Sequence, residues 1–259
     1  MKILFNKYEG TGNDFIILQG DAFPGSKPDP LIIKNLCDRR FGIGADGLIL
    51  VGECSGYDFR MSYFNSDGSP GAMCGNGGRC ASHFAMKHFS GFRDLSFIAD
   101  DGTHTAKHLG DNIIALSIRD VELTRETPDG ILVNTGVPHL VVFADEIEDT
   151  DLVAFARPIR YSSRYAPEGV NVNLVSVSGD SLNVRTYERG VEDETLSCGT
   201  GVTASAIAAA VSGRIAVNDI RVKVKGGSLS VGFTLTGTGA SGVVLTGPAT
   251  FVFSGETEI

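Results

Sequence analysis

Long apolar runs are missing from this chain: nothing in its 259 residues approaches the roughly 18 that a membrane span needs. The opening MKILFNKYEG has too short an apolar run for a signal peptide. An excess of positive charge is missing as well. Twenty-two Lys and Arg against 31 Asp and Glu leave a net charge of −9, which argues against a nucleic acid or an anionic membrane as partner. A local cationic pocket stays compatible with that total. Cysteine is sparse, odd in number at five, and nowhere spaced as CxxC. The closest pair, Cys74 and Cys80, is too far apart for a usual zinc knuckle. Neither a disulfide framework nor a metal site is expected, and free thiols suit a reducing, cytoplasmic compartment.

What is present is the composition of a globular protein, 42% hydrophobic and 20% charged, long enough for one large domain or two ordinary ones. Strands expected over 3–8 and 15–18 flank a polar turn at 9–14, where Asn13 offers both a donor and an acceptor. Asp29-Pro30 reads as an N-cap and first helical residue, opening LIIKNLCDRRF with Cys37 on its apolar side. Gly42 to Gly47 matches GxGxxG formally, but the helix precedes it and a strand follows. That is the reverse of a dinucleotide fingerprint. Cys54 reads as a loop residue, and 58–65 as a strand.

The informative stretches are NSDGSPGAMCGNGGRC, residues 65–80, and TLSCGTG, residues 195–201. In both, a cysteine precedes glycine, a capping residue and a second glycine, and a helix-like run follows. Asn76 and Thr200 are expected as N-caps, with Cys74 and Cys198 just outside two helix N-termini. Unpaired amides and the positive end of the helix dipole favour a thiolate there. A single free cysteine is usually a small buried hydrophobe. Two in one local setting, one in each half of the chain, are harder to assign to packing.

Ala81, Phe84, Ala85 and His88 fall on one face of the first helix, with Cys80 as core. His104 and His108 share a strand face and are expected to be solvated. Residues 119–130 are polar and strand-breaking, so the expected domains are 1–118 and 119–249. Whether a last strand, 250–259, returns to the first domain stays open. His139 follows Pro138 at the start of an apolar strand, where a side chain is held rigidly. The helix after Cys198 is apolar on almost every side and is expected to be buried. Each half thus runs strands, turn, cysteine, helix, strands: a degenerate duplication, with the two cysteines expected to face a cleft.

Inverting a carbon that bears hydrogen requires one group to remove the proton from one face and another to return a proton on the opposite face. A thiolate and a thiol suit that exchange. Amides at two helix N-termini could hold the charge that develops on an adjacent carboxylate.

At these residues the chain resembles the diaminopimelate epimerases. KYEGTGNDFIIL, RRFGIGADGLIL, FNSDGSPGAMCGNGGRC, PEGVNVNLV, RTYERGVEDET and SCGTG are all similar to segments of that family. The resemblance implies two pseudo-symmetric α/β domains of the α+β type, each a strongly curved, mostly antiparallel sheet wrapped around a central helix. It implies a cofactor-independent conversion of LL-2,6-diaminopimelate to the meso form, in lysine and cell-wall synthesis, by a homodimer. Cys74 and Cys198 would be the acid–base pair, with His139 and Glu188 near the reacting ammonium and carbon. Gly75, Asn76, Gly199 and Thr200 would hold the reacting carboxylate. Asn13, Asn65, Asn171, Glu188 and Arg189 would hold the other polar groups. Three departures bear on those contacts: Val137 where many members have Asn, Gly47 where many have a polar residue, and a loop from Gly190 to Cys198 one residue longer than usual. A proline or hydroxyproline racemase shares the two-cysteine logic, and a binding module without catalysis would keep the site but lose nothing with either thiol.

Overall fold

Short alternating runs joined by glycine-bearing turns favour sheets of neighbouring strands, and this chain forms two such sheets, each around one helix. The computed structural model describes residues 2–20, 22–23, 28–91 and 93–259. It divides into a unit of Met1–Leu116 with Gly247–Ile259 and a unit of Ser117–Thr246.

The first unit contains β1 (Lys2–Gly10), β2 (Asn13–Gln19), β3 (Gly47–Cys54), β4 (Tyr57–Asn65), β5 (Asp94–Ala99), β6 (Gly102–Gly110), β7 (Ile113–Ser117) and the last strand, β17 (Thr250–Glu258). In the order β17, β1, β2, β3, β4, β5, β6, β7, neighbours pair antiparallel except at β2–β3 and β4–β5, which are parallel. A parallel step needs a crossover. Helix α1 (Pro30–Cys37) lies in the first and α2 (Gly75–Ala85) in the second.

The second unit repeats the series. Its strands are β8 (Thr124–Thr127), β9 (Gly130–Asn134), β10 (Pro138–Phe143), β11 (Asn171–Ser178), β12 (Ser181–Glu188), β14 (Asp219–Val224), β15 (Gly227–Thr236) and β16 (Gly239–Pro248). The pairings are again antiparallel except at β10–β11 and β12–β14. Helix α3 (Leu152–Arg160) fills the first crossover and α4 (Gly199–Val211) the second. The short β13 (Asp193–Thr195) pairs with β12. Register makes the repeat residue-specific. Phe15 faces Gly47 across β2–β3 as His139 faces Asn171 across β10–β11. These rungs and the two cysteines share one offset of 124 residues (139 − 15, 171 − 47, 198 − 74).

Each sheet curves around its second helix, so α2 touches β1, β2, β3, β4 and β6, and α4 touches β9, β10, β11, β12, β14 and β15. Alanine and glycine let strands approach α4 from all sides, and Gly201–Ala210 is buried throughout. Around it pack Val133, Val141, Val175, Val184, Val222 and Leu245, among others. Among the described residues no helix is long and apolar enough to cross a membrane.

Several sequence expectations need correction. Asp29 does cap α1, accepting from the Leu31 amide, but the helix stops at Cys37 because Asp38 is already extended. Its carboxylate instead accepts from the amides of Arg40 and Phe41. Cys54 ends a strand instead of lying in a loop. His88 is exposed, not on the buried face, because α2 widens into a π-helical turn at Met86–Ser90 and the seven-residue spacing no longer repeats. His104 is buried rather than solvated, stacked on Phe97 with Nε2 3.1 Å from Asp101 Oδ1. The polar stretch 119–130 contains β8, and Val121 within it is buried and bridges to Ala240.

Candidate active site

The first unit builds its candidate residues on a strained turn. Thr11 and Gly12 both take positive φ, 53° and 85°, and the Gly12 amide donates to Glu9 Oε2 at 2.9 Å. This reversal starts β2 at Asn13. The Asn13 amide nitrogen donates to Asp46 Oδ2 at 2.7 Å, which turns its carbonyl oxygen the other way. That oxygen accepts from Cys74 Sγ at 3.6 Å and from Asn76 Nδ2 at 3.3 Å. Asn76 Oδ1 in turn accepts from Arg79 Nη2 at 3.0 Å. Arg79 is fully buried one helical turn later and also donates to the carbonyls of Gly75 and Pro248. Burial holds its guanidinium below the usual arginine range.

Cys74 itself occupies the N-cap of α2, with extended backbone and no side-chain cap bond. The first intrahelical bond runs from the Gly78 amide to the Cys74 carbonyl at 2.7 Å. The amides of Gly75, Asn76 and Gly77 therefore belong to the first turn, whose hydrogens have no acceptor within the helix. Cys198 is likewise the N-cap of α4, and the first bond runs from Val202 to its carbonyl at 2.9 Å. The expectation that Asn76 and Thr200 are the caps is thus corrected: both stand at the second helical position, and their side chains are engaged elsewhere.

In the second unit, Thr200 Oγ1 lies 3.4 Å from Cys198 Sγ and 3.0 Å from His139 Nε2. His139 is fully buried on β10, which Pro138 opens. Its Nδ1 is 3.1 Å from Asn173 Nδ2, and Asn171 Nδ2 is 3.4 Å from its Nε2. Burial, together with the positive charge of Arg189, pushes the imidazole down to about 3. His139 is a neutral ring at physiological pH. Asn171 Oδ1 accepts from the Arg189 amide at 2.7 Å, which ties the end of β12 to β11. The Arg189 guanidinium reaches the Glu168 carbonyl at 3.4 Å.

Sequence-derived candidates therefore fall into two local groups: Asn13, Cys74, Gly75 and Asn76 in one unit, and His139, Asn171, Arg189, Cys198, Gly199 and Thr200 in the other. Glu188, half-buried, ends β12 beside Arg189. Asn65 joins the first group less directly. Its Nδ2 donates to Ser69 Oγ at 3.0 Å in the turn after β4. Three residues escaped the sequence reading. Asp46 orients Asn13, Arg79 orients Asn76, and Asn173 contacts His139. The signals were faint: Arg79 stands at i+3 from Asn76, and Asn173 at i+2 from Asn171 on one strand face. Cys37 and Cys80 are buried core residues, and burial pushes the Cys37 thiol up to about 11 and the Cys80 thiol higher.

The loop after Gly190 is anchored by Glu192. Glu192 accepts from Arg160 Nη2 at 2.9 Å, Tyr161 at 2.7 Å and the Gly190 amide at 3.1 Å. These bonds outweigh burial and hold its carboxyl down at about 2.

Solved structures share this fold at low sequence identity. A phenazine biosynthesis protein of the PhzF family from Bacillus anthracis superposes with a TM-score of 0.75 at 13% identity, covering all of both chains. A hydroxyproline epimerase from Agrobacterium vitis gives 0.71 at 15% identity, covering 99% of this chain and 92% of that one. Sequence comparison is more specific. The diaminopimelate epimerase from Flavobacterium psychrophilum is 46% identical over 254 residues, 98% of each chain. That from Archaeoglobus fulgidus is 39% identical, covering 98% of this chain and 96% of the other. The sequence profile of the diaminopimelate epimerases matches residues 5–113 and 131–252, which takes in both cysteine turns. With both units matched over nearly their whole length, the chain belongs to the diaminopimelate epimerase family.

Proposed function

We propose that the chain epimerises LL-2,6-diaminopimelate to meso-diaminopimelate with Cys74 and Cys198 as its two acid–base groups. One observation carries the assignment of the pair. At equivalent positions of a repeated fold, each unit sets a cysteine on the N-cap of its central helix, and glycine follows directly. A cysteine serving only as packing has no reason to recur there.

In the reaction, one sulfur enters as thiolate and takes the α-hydrogen as a proton. The electron pair left behind spreads onto the neighbouring carboxylate. The other sulfur enters as thiol and gives its proton to the opposite face of the carbon. The first sulfur then carries the proton and the second the negative charge, so charge and atoms balance and the reverse reaction exchanges the roles. Hydrogen-bond donors already aimed at the developing charge lower the barrier most. First-turn amides at Gly75, Asn76, Gly199 and Thr200 suit that task.

The remaining polar groups of the substrate fall to Asn13, Asn65, Asn171, Glu188 and Arg189. Arg189 matches a carboxylate and Glu188 an ammonium. His139 acts as a neutral ring beside the reacting centre and not as a cation. None of the five cysteines forms a disulfide, which suits a cytoplasmic setting. The homodimer implied by the family resemblance is open to light scattering.

The test is incubation with LL-diaminopimelate in heavy water, following α-deuterium and stereochemistry, with proline as control substrate. The parent protein should incorporate deuterium and form the meso isomer from diaminopimelate only. Cys74→Ala and Cys198→Ala should each abolish net epimerisation. Retention of epimerisation in either variant would remove the pair from the mechanism, and exchange with proline alone would reassign the substrate.

A further inference from the structure

Asn173 has no exposed surface and stands on β11 facing the start of α4. Its Oδ1 accepts from Thr186 Oγ1 at 2.9 Å. Its Nδ2 lies 3.3 Å from the Leu140 carbonyl oxygen and 3.1 Å from His139 Nδ1. The carbonyl can only accept, so the amide edge facing it must be the NH2 group. Rotating the amide by half a turn would set two oxygens against each other. The same NH2 group therefore meets Nδ1, and Nδ1 must offer a lone pair. In a neutral imidazole the proton then sits on Nε2.

Nε2 is 3.0 Å from Thr200 Oγ1, so the ring donates to the hydroxyl. The hydroxyl, already accepting, directs its own hydrogen elsewhere, and Cys198 Sγ lies 3.4 Å away. A second amide also points its nitrogen at the ring: Asn171, whose oxygen accepts from the Arg189 amide, sets Nδ2 3.4 Å from Nε2. A neutral ring accepts at one nitrogen only, and the shorter contact, 3.1 Å from Asn173, makes Nδ1 the acceptor. Gly201 keeps this layer in place. A β-carbon there would come within 2.4 Å of Asn173 Oδ1, 3.1 Å of Thr186 Oγ1 and 3.3 Å of the His139 ring.

We propose that Asn173 is a positioning residue for Cys198: by holding His139 as its Nε2–H tautomer, it turns the Thr200 hydroxyl hydrogen onto the Cys198 sulfur. The inference rests on the reading of Cys198 as an acid–base group. Its consequence is a donor built beside this sulfur before substrate arrives, which stabilises the thiolate form and is absent from no step that uses it. Asn173 touches neither substrate nor sulfur and acts through two intervening side chains.

The experiment begins with the unmodified protein, labelled with 15N-histidine. The His139 signals, identified by their loss in His139→Gln, should show Nε2 protonated and Nδ1 bare at neutral pH. Protonation at Nδ1 would overturn the proposal directly. Asn173→Asp replaces the donor with an acceptor of nearly the same size and should move the proton to Nδ1. It should lower kcat about ten- to a hundredfold, the worth of one hydrogen bond to a charged group, with KM changed by less than about threefold. Asn173→Leu serves the same end if the aspartate variant does not fold. Thr200→Val added to either should cost little more, because the two residues act in one chain. A switched tautomer with unchanged kcat, or losses that multiply in full, would also overturn the proposal. Cys198→Ala, measured alongside, separates the two ideas: full epimerisation there would sink the acid–base reading, whatever tautomer His139 adopts.

Discussion

Asn13 presents its carbonyl oxygen to the Cys74 sulfur, 3.6 Å away, because Asp46 holds the amide nitrogen at 2.7 Å on the other side. The polarity is opposite to that at Cys198, whose sulfur has a hydroxyl neighbour at 3.4 Å. One cysteine donates to a fixed acceptor, and the other faces a group able to donate. That difference suits a pair that must start the cycle in opposite protonation states.

Asn13→Asp should therefore be severe. A carboxylate at 3.6 Å opposes a thiolate by several kcal/mol at an effective dielectric of about 20. It also meets Asp46. Both directions of the reaction pass through a Cys74 thiolate, at the start of one and the end of the other. Initial rates measured from the LL and the meso isomer should both fall by about a hundredfold or more. Rates within threefold of the parent in either direction would contradict this.

His139 links stability to pH. Its folded value of about 3 lies below the unfolded value near 6.5, so the unfolded chain binds more protons between them. The stability conferred by the neutral ring is complete above about pH 6.5 and declines as pH falls toward 3. The slope is at most about 1.4 kcal/mol per pH unit. Urea unfolding at a series of pH values should show this slope in the parent and its loss in His139→Gln. Equal slopes in the two proteins would contradict the assignment.

Asp14 behaves as an ordinary half-buried carboxylate with partners. Burial raises its pKa, but bonds from Arg39 at 2.6 and 3.0 Å and Lys7 at 2.6 Å win, and the folded value is about 2. Lys7, itself buried, also donates to the Gly44 carbonyl. The folded carboxyl ionises below the unfolded value near 3.9, so its contribution is present above that pH and fades as pH drops through 2. Asp14→Asn should cost on the order of 2 kcal/mol at pH 7, and the gap from the parent should close on acidification from pH 4 to pH 2. A gap independent of pH would show that packing, not charge, is responsible.

Gly47 has no room for a side chain. A β-carbon there would sit 2.5 Å from the Tyr63 ring and 2.7 Å from the Phe64 carbonyl oxygen. Tyr63 is braced against Phe15, with ring centroids 6.1 Å apart. Gly47→Ala should lower stability by about 1–3 kcal/mol. Combined with Tyr63→Ala, which vacates part of the space, it should cost about 1 kcal/mol less than the sum of the two single changes. Full additivity in thermal unfolding would show that the backbone oxygen alone sets the limit.

Local signals in the sequence were enough for elements whose stability is local. Asp29-Pro30 announces the start of α1, and the alternation around each glycine turn announces most strands. The paired Cys-Gly motifs pointed to two helix N-termini, yet placed the cap two residues late. Cap choice there depends on what Asn76 and Thr200 bond to, and those partners lie on other strands. His88 departs from the sequence pattern because a π turn changes the period, and His104 because Phe97 stands opposite it on β5, while Asp101 in the intervening turn supplies its carboxylate.

The linear chain by itself determined which residues carry reactive groups, how they repeat in two halves, and where small residues let a helix be buried. Tertiary structure alone decided polarity: which edge of Asn13 meets Cys74, and which nitrogen of His139 keeps its proton. The reason is physical. An amide or an imidazole is nearly symmetric in shape but not in hydrogen bonding, and its orientation is set by Asp46 or the Leu140 carbonyl, groups brought beside it only by strand pairing.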